Sequence, residues 1–182
     1  MTALTDFAPE DLAILNRTPT AVAMAAAYAE QNGAVTLMRE LRAGLSAARE
    51  AAFAFPDNEV VQALAATMQD VDSDEPREPE SLPVGGDTAA EDVVEERNPA
   101  LAQETAIELA GQSMAIMQQT ATLEEVVEFK HWLYAIANQV TLASKSGGFL
   151  GIGGTQVADA ERQFLARLHE AMEIDVTAAE QE

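Results

Sequence analysis

Cysteine is absent from this chain of 182 residues. That excludes a disulfide framework, a thiolate metal site and a thiol nucleophile together. Histidine occurs twice and aromatic residues make up only 5%. So few imidazoles leave little from which to build a nucleophile–base–acid arrangement, and the scarcity of aromatic and β-branched runs disfavours a strand-rich fold. Basic residues are few as well: 10 Lys+Arg stand against 31 Asp+Glu, a formal net charge of -21. Such a chain is repelled by nucleic acid and by anionic membrane surfaces. No apolar run approaches the roughly 18 residues that a membrane-spanning helix needs. The opening stretch, MTALTDFAPEDLAIL, has no early Lys or Arg and no apolar core of the kind a secretory signal carries. These absences lead us to expect an acidic, cytoplasmic, non-enzymatic protein that acts by contact and implies no cofactor.

What is present favours helices. Hydrophobic residues make up 48% of the chain, and alanine supplies much of that share, which suits helix formation and close helix packing. Residues 70–97 break the pattern. They hold 11 acidic and 2 basic residues together with Pro76, Pro79, Pro83 and the pair Gly85-Gly86. High like charge with low hydrophobicity cannot bury enough surface to offset ordering entropy, so this stretch reads as an acidic disordered linker. It serves either as a solvated spacer or as an acidic arm for a basic partner.

Before the linker, a unit over residues 1–69 carries four helical pieces. A short one runs from about Pro9 to Asn16. A second is expected to start at Thr18-Pro19, as a cap followed by proline at the first helical position, and to stop at Asn32-Gly33. A third spans about Ala34 to Ala54, with Leu37, Leu41, Leu45, Ala48 and Ala52 on one stripe. The fourth is expected to be capped by Asp57 and carries Val60, Val61, Leu64 and Met68. After the linker, a unit over residues 98–175 repeats the layout, followed by a tail over 176–182. Asn98-Pro99 opens a helix to about Gln118, and Thr122-Leu123-Glu124-Glu125 is a capping box opening a helix to about Lys145. On that helix Val126, Phe129, Leu133, Ile136 and Val140 form a core stripe. A last helix, about Gln156 to Glu173, carries Val157, Phe164, Leu168 and Met172. The expected fold is therefore all-α: a helical bundle of two similar three-helix units joined by the acidic linker, with both units in one bundle. An internal duplication and the ordinary alternation of any bundle both account for the similarity.

Three places could carry function. Five of the eight residues from 147 to 154 are glycine, interleaved with Phe149, Leu150 and Ile152. No strand precedes the run and no lysine follows it as in a phosphate-binding loop. A structural turn, a partner contact through the apolar side chains and an anion site are the readings it allows. Glu128 and His131 form a Glu-x-x-His on a helix, the spacing used in di-iron bundles, but no second such motif accompanies it, since position 166 is Ala where His169 would need its acid. The helical wheel places His131 opposite the core stripe, on an outer face with Val127, Tyr134 and Asn138, while Trp132 flanks the core side. A half-apolar outer face with an aromatic is a candidate contact surface for another helix or subunit. His169 reads as a solvated helix terminus, where a cation is favoured. Val127, His131 and Tyr134 thus join Phe149, Leu150 and Ile152 as candidate partner-binding residues, with a protein as partner and a second copy of the chain as a further candidate.

From about Ala143 to Met172 the chain resembles the closing helix pair of the TerB-like (tellurite-resistance B) bacterial helical family: a long apolar helix, a glycine-bearing break, then a helix carrying Ala160-Glu161, Phe164-Leu165 and Leu168. The resemblance implies an all-α fold and a stress-linked or accessory role. In that family the break carries an acidic residue beside glycine, consistent with cation binding. Ser146-Gly147-Gly148 stands there in this chain, which leaves Asp159 and Glu161 as the nearby acids for a divalent cation. A third reading makes the protein an acidic decoy that occupies a nucleic-acid-binding protein, on the strength of its charge and its linker.

Overall fold

The computed structural model describes residues 1–28, 45–46, 48–68, 98–146 and 159–173, and within them every regular element is helical. A short 3-10 turn, Leu4–Asp6, precedes α1 (Pro9–Tyr28); α2 (Glu59–Thr67), α3 (Pro99–Thr120), α4 (Leu123–Ser146) and α5 (Asp159–Ala171) follow. The acidic stretch 70–97, the glycine-rich stretch 147–158 and the tail lie outside the described residues.

Helix α1 departs from expectation. Instead of ending before a cap at Thr18, it runs unbroken through Pro19, with both residues buried. Proline inside a helix removes a backbone donor and crowds the carbonyl four residues back, a cost of about 3 kcal/mol in isolation. The tertiary contacts outweigh the local signal. The Thr18 hydroxyl, which a cap would spend on an amide ahead of it, donates backward to the Ile14 carbonyl at 2.9 Å. It also meets the Ser113 hydroxyl of α3 at 2.7 Å. The pair sits where α1 packs along α3.

The start of α2 also differs by one residue. Asn58, not Asp57, is the cap, accepting a hydrogen bond from the Val61 amide at 3.1 Å. Asn58 is fully buried, and its amide donates to the Glu125 carbonyl at 3.1 Å and to Glu128 Oε2 at 3.0 Å. Only an amide both caps the helix and donates to those oxygens; an aspartate there would set a second carboxylate against Glu128.

The second half follows its sequence signals closely. Asn98 caps α3, accepting from the Leu101 amide at 3.2 Å, and Pro99 takes the first turn. Thr122 opens α4 through a reciprocal capping box: the Glu125 amide donates to its hydroxyl at 3.3 Å, and its own amide donates to Glu125 Oε2 at 2.9 Å. Val126, Phe129, Leu133, Ile136 and Val140 are all buried, as are Phe164, Leu168 and Met172. Of the expected third helix, residues 48–52 are helical and bury Ala48 and Ala52, while Leu37 and Leu41 lie outside the described residues.

Helix α1 packs along α3 and α4, α5 packs against the same two helices, and α2 contacts α1 and α4. The buried apolar residues of both halves form one core. Trp132, expected beside the core, lies fully within it: its indole N–H donates to the Ala48 carbonyl at 2.8 Å, and its ring tilts against Phe129. No described helix is long and apolar enough to cross a membrane.

Candidate functional site

The core stripe of α4 fixes which residues it turns outward. With Val126, Phe129, Leu133 and Ile136 inside, helical spacing places Val127, Lys130, His131 and Tyr134 together on another face. Helix α5 lies along part of that face and adds His169 from its last turn. These five residues line an open groove of about 410 Å³, within the size range of ligand sites. Val127 and Lys130 are half-buried, whereas His131 and His169 are exposed and Tyr134 is 38% exposed. The Tyr134 ring meets His169 edge-on, with centroids 6.1 Å apart and planes at 66°, an arrangement aromatic pairs prefer. Phenol, two imidazoles and an ammonium thus surround an apolar floor. Such a site can donate hydrogen bonds and receive an apolar body.

The structure brings three of the expected contact residues, Val127, His131 and Tyr134, to this groove. Asn138, further along the same outer face, is exposed and does not line it. Phe149, Leu150 and Ile152 lie outside the described residues. Two lining residues were not anticipated. Lys130 was legible, because it shares the stripe of Val127, His131 and Tyr134. His169 was not, because its place depends on how α5 packs on α4, and nothing in the local sequence encodes that.

The remaining candidates are separated. Glu128 is held by the Asn58 amide while His131 faces the groove, so the Glu-x-x-His pair is divided between neighbours. Asp159 has a side chain 83% exposed and pairs with Arg162 on the surface, whereas Glu161 is 1% exposed. Two residues apart on a helix, these carboxylates point in widely different directions. No group of three or more metal-ligating side chains occurs among the described residues.

A second polar cluster stands at the opposite role, structural rather than open. Glu125 is buried at the start of α4. It accepts from the Thr2 amide at 2.7 Å, the Thr2 hydroxyl at 2.8 Å, and the Thr122 amide and hydroxyl at 2.9 Å each. Burial by itself pushes this carboxyl up, but the hydrogen bonds from Thr122 and Thr2 outweigh it and hold the group at about 2, below its ordinary 4.5. With its oxygens engaged in this way, Glu125 is a clamp between the first residues of the chain and α4.

Compared with known proteins, the chain matches no family model, no curated protein and no solved structure.

Proposed function

We propose that this protein acts by binding a protein partner through the groove between α4 and α5, without catalysing a reaction. The observation that carries the reading is a convergence. Both histidines of the chain, His131 and His169, meet Lys130, Tyr134 and Val127 in one open groove. Elsewhere the described polar clusters are closed on themselves, as at Glu125 and Asn58. In this reading Phe149, Leu150 and Ile152, between α4 and α5 in sequence, are further partner-contact residues, and 70–97 is a spacer. The two similar three-helix units and a cytoplasmic setting belong to the same proposal.

A TerB-like cation site would require Asp159 and Glu161 to share an ion, and their opposite exposure gives that reading no support. The decoy reading rests on the net charge and the acidic stretch 70–97, and charge speaks to solubility and partner type rather than to a particular role.

The test is capture of partners from the native lysate by the full chain and by a His131→Ala/Tyr134→Ala double variant. Both residues are exposed, so the variant is expected to keep its melting temperature. A protein recovered stoichiometrically with the parent chain and lost with the variant is the expected result. Equal recovery with both removes the groove from the contact surface. Self-association lost in the variant would make a second copy the partner.

A further inference from the structure

We infer that the groove between α4 and α5 selects an acidic peptide segment of the partner, one that sets a carboxylate beside an aliphatic or aromatic side chain. This rests on the proposal that the groove is the protein-contact face and goes on to name what it recognises.

The argument is charge complementarity against an acidic background. Acidic residues outnumber basic ones 31 to 10 over the chain, so carboxylates are the charge that its surface mostly carries. Among the described residues, this groove has none in its lining. It carries instead Lys130, one of only two lysines in the sequence, and both histidines. The nearest acid on the same helix turn, Glu128, is drawn to Asn58 by a 3.0 Å hydrogen bond. The described lining therefore offers a positive ammonium and N–H donors and includes no carboxylate of its own. A cation would meet Lys130 with no carboxylate among the described lining residues to compensate it. Val127 and the Tyr134 ring supply the apolar part, and an aromatic ring entering the groove would find the Tyr134–His169 edge pair to stack against. The volume of about 410 Å³ admits a side chain or two rather than a folded domain.

Because the chain has only two histidines, imidazole NMR signals of the full-length protein read the groove directly. The probes are three capped tetrapeptides of one shape, Glu-Leu-Phe-Glu, Gln-Leu-Phe-Gln and Lys-Leu-Phe-Lys, with 4-phenylbutyrate as a free small acid. The acidic peptide is expected to shift both imidazoles saturably with a Kd near or below about 1 mM, and the neutral and basic peptides to bind at least about fivefold more weakly. Lys130→Glu is expected to lose that preference by a similar factor, about fivefold, the size of one partly screened charge contact. Equal shifts from all three peptides, or none, would overturn the inference. So would phenylbutyrate binding as tightly as the acidic peptide, since the site would then be one for small organic acids. Capture from lysate separates the two proposals. If the double variant loses its partner while the peptides show no charge preference, only the choice of an acidic segment falls. If the variant retains its partner, the contact-face reading falls whatever the peptides do.

Discussion

Glu125 gathers four hydrogen bonds from two threonines more than a hundred residues apart in sequence. Its folded-state pKa of about 2 lies below the ordinary 4.5, so its stabilisation is fully present above about pH 4.5 and is lost as pH falls toward 2. The shift corresponds to at most about 3 kcal/mol, reduced by whatever solvent screening reaches the site. Glu125→Gln places an amide N–H₂ against donors and is expected to cost about 2 kcal/mol at neutral pH. Urea unfolding of both proteins at pH 7 and near pH 2.5 checks this: the gap between them should narrow on acidification. A gap independent of pH would mean the carboxylate's charge is not what holds Thr2. Asn58 makes the complementary point. Its neighbour Asp57 is an equally good cap by composition, and only the oxygens of Glu125 and Glu128 explain why the amide is the one at the buried position.

Among the elements, α3 is one of the two helices, with α4, that α1 and α5 both pack against. Gly111 lies within it, half-buried, and a methyl group added there would stand 3.6 Å from the Ala171 carbonyl of α5, an ordinary contact. Glycine in a helix interior costs roughly 0.5–1 kcal/mol relative to alanine. Gly111→Ala is therefore expected to stabilise the protein by about that amount, read as a higher urea midpoint at unchanged slope. Destabilisation would show that α5 must approach α3 more closely than a methyl permits. Helix α1 teaches the opposite lesson about local rules. Thr-Pro is a sound start signal, but the Thr18–Ser113 contact and burial against α3 keep the helix running through it.

For the whole molecule, the decisive fact is that the first half buries helix α1 against the second. Leu15, Val22, Ala23 and Ala26 of α1 belong to the same core as Met114, Phe129 and Leu168. A fragment of residues 1–69 would expose that face and is small for a self-sufficient core. It is expected to show little helicity and no cooperative thermal transition by circular dichroism, while the full chain unfolds in one transition. A folded fragment 1–69 would refute the shared core.

The sequence by itself determined the all-α class, the caps of α3 and α4, and the buried stripe Val126, Phe129, Leu133, Ile136 and Val140, because helix propensity, capping and 3.6-residue periodicity act within a few residues along the chain. It also placed Val127, His131 and Tyr134 together on an outer face, for the same reason. Only the tertiary structure decided what could overrule or complete those local preferences. The continuity of α1 through Pro19 depends on a hydroxyl 95 residues away. The choice of Asn58 depends on acceptors in α4, and the arrival of His169 beside Tyr134 depends on the packing of α5 across α4. Contacts between residues so distant in sequence leave no periodic trace, and it is such contacts that turned a helix face into a groove.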